Sequence, residues 1–333
     1  MTRVHLVELD KNHLPAAAAL FAEGLRRLRH RVPLVPQALA RESAVIENLE
    51  KLLLSGFPGV AAVFEEGLAG YLIGLPIRSL RGTQRGIYSP EWAHGAGGPD
   101  RPAIYRAMYR RMSKIWVSAG CFTHSITLLE GDPEARDTWL WSGFGPLVTD
   151  AVRSMDPIPS TAPPGISVRR AGPSDSRTIW SLEVSLHRHL ASPPIFMPLL
   201  QVDSPEEWEE RLGDAGRPAW LALRGDEAVG YLKAENKRAG ADFVFDRGTL
   251  AVDGAYTVEL YRGQGIGALL LDAALEWGRE AGFERCSVDF ECFNDQGREF
   301  WVRHFTPVGL TLIRYVDPRI AWAIWDRDTG AMW

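Results

Sequence analysis

The chain has 333 residues, 46% of them hydrophobic and 24% charged, with a formal net charge of −5 at pH 7. That length exceeds one small α/β domain and suits two, and the composition is that of a globular protein. The mild acidity leaves no basic footprint for nucleic acid.

In chain order, residues 4–9 read as a strand. Residues 14–28 and 39–54 carry apolar side chains at helical spacing, and Gly56-Phe57-Pro58-Gly59 ends the second helix. Residues 60–64 and 68–75 form a hairpin turning at 65–67, and 83–88 a further strand. A helix is expected over 103–118, a strand over 122–129, a short helix over 135–141 and a strand over 145–155. The segment 156–165 holds four prolines among small polar residues. It cannot continue a helix or a central strand, so it reads as a stiff linker.

The same order then recurs. Residues 166–170 are a strand, 173–189 a helix capped by Ser174 or Asp175, and 205–212 a second helix with Pro205 in its first turn. Residues 219–223 and 228–234 make a hairpin, and 250–258 a strand. Residues 268–281 form a helix ended by Gly282, 286–293 a strand, 297–303 a helix and 308–316 a last strand. Residues 321–333 are an apolar tail. Two short matches suggest duplication: Ala69-Gly70-Tyr71-Leu72 with Val229-Gly230-Tyr231-Leu232, and Asp132 to Trp139 with Asn294 to Trp301. Both pairs share a domain-sized offset. The expected domains are 1–155 and 166–320.

Cys121, Cys286 and Cys292 cannot all pair within the chain and lack Cys-x-x-Cys spacing, so neither a disulfide framework nor a zinc site is expected. The N-terminal residues are too polar for a signal peptide, and no apolar run is long enough to cross a bilayer. A reduced cytoplasm, no membrane partner, and a monomer or homodimer are the expectations.

The most informative stretch is Arg262-Gly263-Gln264-Gly265-Ile266-Gly267-Ala268, between a strand and a helix start. A glycine turn there offers several backbone N–H groups at the positive end of a helix, which can wrap a diphosphate. It is not a P-loop, because Gly267 is followed by Ala268 and Leu269 rather than Lys and Ser or Thr. Its glycine spacing also departs from the dinucleotide fingerprint, although Asp289 lies at a suggestive distance. A nucleotide-binding oxidoreductase is therefore the weaker reading.

Arg-x-x-Gly-x-Gly between a strand and Ala-Leu-Leu-Leu resembles the acyl-CoA loop of the GNAT acetyltransferase superfamily. The segment Asn294-Asp295-Gln296-Gly297 followed by Phe300-Trp301 resembles that family's Asn-x-x-Ala-x-x-Phe-Tyr. The resemblance covers about residues 166–317. It implies a mixed α/β fold of two tandem GNAT-like domains, each a mostly antiparallel mixed sheet flanked by helices. It implies an N-acetyltransferase using acetyl-CoA as acyl donor and an amine as acceptor, with no metal. By the resemblance, Ala255, Tyr256 and Thr257 on a splayed strand meet the pantetheine arm and thioester carbonyl. Arg262 to Ala268 hold the diphosphate, and Asn294 and Gly297 flank the arm.

The family's proton-donating tyrosine is replaced by Trp301, whose indole N–H is no useful acid. Tyr256 and Tyr315 are possible substitutes, and a catalytically silent CoA-binding scaffold is the alternative this motivates. For the base, Asp253 stands first, on the strand leading to the loop, with Asp289 and Glu291 on the next strand. Asp253 and Glu291 are the chosen catalytic candidates. Cys292 is read as a buried thiol, and His187 and His189 as surface or capping residues. The first half has Ser89 to Gly98 in place of the loop, with uneven glycines, and Asp132 in place of the Asn. It is expected to have lost the thioester site.

Overall fold

The computed structural model describes residues 4–64, 67–81, 84–159, 162–198, 202–237 and 240–320. The elements in chain order are β1 (His5–Glu8), α1 (Leu14–Arg31), α2 (Glu42–Leu54), β2 (Gly59–Phe64), β3 (Gly67–Ile73), β4 (Leu75–Leu80), β5 (Gln84–Ser89) and β6 (His94–Ala96). Next come α3 (Arg101–Ser118), β7 (Thr123–Leu129), α4 (Pro133–Trp141), β8 (Gly145–Ser154), β9 (Ile166–Arg170), α5 (Ser176–Ala191) and α6 (Pro205–Gly213). The chain closes with β10 (Ala219–Arg224), β11 (Glu227–Glu235), β12 (Thr249–Thr257), α7 (Ile266–Glu280), β13 (Arg285–Glu291), α8 (Asp295–His304) and β14 (Thr306–Tyr315). The mixed α/β class with mostly antiparallel pairing is as the sequence implied. The tail 321–333 lies outside the described residues, as do 65–66 in the hairpin turn.

The chain folds as two compact units. Among the described residues the first comprises 4–149, Ala241–Phe243 and 308–320, and the second 150–237, 240, and 244–307. The expected boundaries at 155 and 320 follow chain order, and the packing does not. β14 pairs antiparallel with β7 from Gly309↔Leu129 to Tyr315↔Thr123, which draws the last strand into the first unit. β8 passes into the second unit at Asp150, where it neighbours β13. The proline-rich segment, expected to be a stiff linker, is packed against the second unit. Ile158 is buried, and its N–H donates to Asp272 Oδ1 at 2.8 Å.

In the first unit, strands β1-β2-β3-β6 form one sheet, and β4-β5-β7-β14 lie in a second order. Two of these strands escape sequence reading. β4 contains Pro76, and β6 is three residues long inside a glycine-rich stretch, too short to show a period. α3 buries Ile104, Tyr105, Met108, Tyr109 and Met112 at spacings of one helical turn, together with Trp139 of α4.

In the second unit the strand order is β8-β13-β12-β11-β10-β9. α7 buries Ile266, Leu270, Leu271, Ala274 and Leu275 on one face against the sheet. Each fully buried Leu there stabilises the fold by roughly 1.5–3 kcal/mol. A separate cluster packs α5 and α6 with β10 and β11 around fully buried Trp208 and Tyr231.

The duplicated segments carry the same local geometry. Tyr71 pairs with Ala61, and Tyr231 with Leu221. Each hairpin has a bulge just beyond, at Ala62/Val63 and at Ala222/Leu223. Gly70 and Gly230 are required by close approach, since a Cβ would come within 3.0 Å of Gly95 O and 2.9 Å of Tyr256 O. Asp132 and Asn294 both cap helices, each accepting at 3.1 Å from the amide three residues on.

Candidate functional site

The site of the second unit begins where two parallel strands part. β12 runs to Thr257 and pairs with β11 as far as Thr257↔Gly230. It pairs with β13 only from Thr249↔Arg285 to Val252↔Val288, although β13 continues to Glu291. From residue 253 on, the edge of β12 toward β13 has no ladder partner among the described residues, so its peptide groups are available to a ligand. A β-bulge marks the point of parting. Lys233 faces Gly254 and Ala234 faces Val252, which leaves Asp253 as the extra residue.

Beyond β12 a single 3-10 turn, Glu259–Tyr261, leads into the glycine loop. Gly263 and Gly265 have φ of +75° and +84°, the left-handed region that favours glycine. A Cβ at either would meet no protein atom within 4 Å, so backbone conformation rather than crowding demands glycine. Gly265 is also the N-cap of α7 and supplies no side-chain cap. Among the described residues, none of the N–H groups of Gly263 to Gly267 has a hydrogen-bond acceptor. Ala268 and Leu269 instead donate to Gly265 O at 3.1 and 3.2 Å, so Ala268's amide is spent within the turn.

Side chains hold this loop in place. Arg262 Nε donates to Thr257 O at 3.1 Å and its Nη1 to Gln296 Oε1 at 3.0 Å, and the guanidinium lies over the Tyr256 ring. It ties the strand end, the loop and α8 together. Gln264 turns back to donate to Leu260 O at 3.2 Å and is not a wall of the cleft. Asn294 caps α8 through Gly297 N–H, and a Cβ on Gly297 would sit 2.6 Å from Asn294 Nδ2. A Cβ on Gly267 would press on the Phe300 ring at 3.2 Å.

These elements enclose a cleft of about 590 Å³. Its walls include Ala255, Tyr256, Thr257, Arg262, Gly263, Gly265, Ile266, Gly267, Ala268, Asn294 and Gly297. Apart from Gln264, every residue the sequence assigned to the acyl donor is brought to one place. Trp301 is both a core residue and a wall, beside Phe300.

Sequence reasoning missed several polar walls, His189, His304 and Tyr231 among them. His189 lies one helical turn beyond Leu186, and both face the cleft; that i, i+3 spacing was the available signal. Burial, with Arg262 nearby, holds the His189 imidazole below its usual range against a hydrogen bond to Asn294. His304 is likewise lowered, first by burial and then by Arg153 and Arg303. Tyr231 is fully buried, its hydroxyl has no partner among the described residues, and burial pushes its phenol well above the ordinary value.

The two proposed catalytic carboxylates are placed differently. Neither Asp253 nor Glu291 is a wall of the cleft. Asp253 Oδ2 lies 3.7 Å from Lys233 Nζ and 3.9 Å from Arg211 Nη1. Lys233 in turn holds Glu183 at 2.5 Å. Burial outweighs the attraction of Lys233 and Arg211 and raises the Asp253 carboxyl above its ordinary range. Glu291 is buried at the end of β13, where its backbone carbonyl accepts from Asn294 N–H at 3.2 Å. Tyr315, weighed as a proton donor, is on β14 in the first unit and 61% exposed. Cys292 is half-buried, whereas Cys121 and Cys286 are buried, and none of the three is in a disulfide among the described residues. Among the described residues no group of His, Cys, Asp and Glu could hold a metal, and no helix is long and apolar enough to cross a membrane.

Residues 185–305 match the acetyltransferase (GNAT) family model. The fold is that of the GCN5-related N-acetyltransferases. The chain is similar to one from Sphaerobacter thermophilus, with a TM-score of 0.58 at 16% identity, covering 94% of this chain and 95% of that one. It also matches a tandem GNAT protein from the clavulanic acid biosynthesis pathway, with a TM-score of 0.48 at 15% identity, covering 94% of this chain and 98% of that one. No curated protein matches the sequence.

Proposed function

We propose that the second unit is an acetyl-CoA-dependent N-acetyltransferase in which an amine attacks the thioester directly. The observation that carries this reading is the run of unclaimed amides from Gly263 to Gly267, all but Gln264 on residues that line a cleft beside the parted strands β12 and β13. Five amide dipoles at a helix start suit a diphosphate. The released edge at Ala255 to Thr257 suits an extended arm that adds to the strand, with the thioester carbonyl accepting an N–H from the same edge. Asn294 and Gly297 flank the arm.

The chain's own groups then divide the proton work. Asp253 is the proposed base, with Glu291 across the gap as the second carboxylate. A raised carboxyl is a better proton acceptor than an ordinary aspartate, which suits deprotonating an ammonium. Tyr231 stays protonated at neutral pH and is the proposed donor of a hydrogen bond to the leaving thiolate. This assignment answers the replacement of the family tyrosine by Trp301.

Thiol release from acetyl-CoA over a panel of amines tests the proposal. Turnover on at least one amine supports it. CoA binding with no turnover on any amine favours the silent-scaffold reading, which Trp301 motivates.

A further inference from the structure

The first unit has its own cleft, larger than that of the second, at about 900 Å³. It is built from the counterpart elements: the face of α1, the strand β6, the loop after it, and the start of α4. Its chemistry is reversed. The helix after the loop, α3, is capped by its own carboxylate, Asp100 Oδ1, accepting from Ala103 N–H at 3.2 Å. Arg101 is engaged by Asp132 and by Glu134 at 3.3 Å, while its Nε donates to Ala96 O. At the start of α3 one amide and the Arg101 guanidinium are thus already matched by acids, and a diphosphate in the cleft would face Asp132.

One wall of this cleft is a buried group with capacity left over. His94 is 6% exposed. Its Nε2 lies 2.8 Å from Thr127 O, a carbonyl, so this nitrogen carries the proton and donates. The other nitrogen, Nδ1, is then a bare acceptor, and it has no partner among the described residues. Such a group buried in a native structure calls for a partner. Burial holds the imidazole down to about 4, so Nδ1 keeps its lone pair at neutral pH. Glu91, also a wall and 2% exposed, adds a carboxylate whose Oε1 accepts from Phe243 N–H at 2.9 Å. The nearby His124 makes the contrast plain. Both its nitrogens are satisfied, by Tyr109 Oη and by Cys121 O, and it is not a wall of this cleft.

We propose that the cleft of the first unit is a second ligand site, selective for organic ammonium compounds, in which the ammonium donates to His94 Nδ1 and to the Glu91 carboxylate. A primary ammonium has three N–H donors and one positive charge, which suits an acceptor beside a carboxylate. The proposal does not depend on the second unit's activity.

The test uses the full chain with 1,4-diaminobutane, n-butylammonium and, as neutral control, n-butanol. In long-range ¹⁵N–¹H spectra the His94 Nδ1 resonance should move on adding either amine and stay fixed with n-butanol. By titration calorimetry, His94→Leu and Glu91→Gln should each weaken diaminobutane binding tenfold or more. If Glu91→Gln does not fold, the resonance shift in the unsubstituted protein and the His94 variant still decide. The proposal is overturned if neither amine moves the resonance, if n-butanol moves it equally, or if affinity survives both substitutions. Displacement of the amine by CoA at this cleft would also overturn it.

Discussion

Gly265 offers the sharpest perturbation because its two possible roles separate cleanly. At φ +84°, any other residue pays a backbone cost of about 1–2 kcal/mol. Its Cβ would meet no protein atom within 4 Å, so no packing term adds to that. Gly265→Ala and Gly265→Glu should therefore lose similar stability, a fall in Tm of about 2–4 °C per kcal/mol for a unit of this size. They should differ in CoA binding. A carboxylate about 4 Å from a phosphate charge costs roughly 4 kcal/mol at an effective dielectric constant of 20. At 1.4 kcal/mol per decade that is about a thousandfold in affinity, relieved in part by added salt. Gly265→Ala should bind CoA within about tenfold of the parent. Titration calorimetry at two salt concentrations, with circular dichroism as the folding check, measures both effects. A folded Gly265→Glu protein with parental CoA affinity would refute the assignment of the loop.

Asp253→Asn should lower kcat/KM by about 10²–10⁴-fold while leaving Tm within a few degrees, since Lys233 and Arg211 keep Glu183 and Glu235 as partners. The pH–rate profile of the parent should fall on its acid side at an inflection above the ordinary Asp value, and a loss under fivefold would remove Asp253 as the base. Asn294→Ala removes the α8 cap and should cost about 1 kcal/mol of stability, read from urea unfolding, together with weaker CoA binding. Burial holds His94 and His124 down to about 4. From pH 6.5 downward the unfolded chain takes up protons that the folded chain refuses. Stability is therefore full above about 6.5 and lost toward pH 4, by up to about 3 kcal/mol for each imidazole. His124→Gln should flatten that slope in urea titrations, and an unchanged slope would contradict the assignment. Burial pushes the Cys286 thiol up to about 12 and raises that of Cys121. A thiol reagent should modify half-exposed Cys292 first and Cys286 only on unfolding, and early labelling of Cys286 would count against its burial.

The parts of the site that local sequence encodes were legible. A glycine turn, a capping Asn and a strand–helix order each lie within a few residues, and all converge on one cleft. The duplication was legible for the same reason, as Gly70 and Gly230 are fixed by the same close backbone approach. What stayed hidden depends on distant residues. Glu183, Lys233 and Asp253 meet only through the packing of α5 on β11 and β12. Tyr231 reads as an ordinary core residue until its register opposite Tyr256 places it at the cleft. His187 and His189 read as surface or capping residues, and only the helical spacing of His189 from Leu186 marks it as a cleft wall. The exchange of β14 into the first unit leaves no trace in hydrophobic pattern, since a strand looks the same whichever sheet it joins.

A crystal soaked with acetyl-CoA will show whether main-chain nitrogens of the loop grip the diphosphate of the acyl donor. Diphosphate oxygens should lie about 2.7–3.1 Å from amides of Gly263 to Gly267, with the thioester between β12 and β13. A diphosphate seated in the cleft of the first unit, or one that leaves those amides untouched, would contradict that grip.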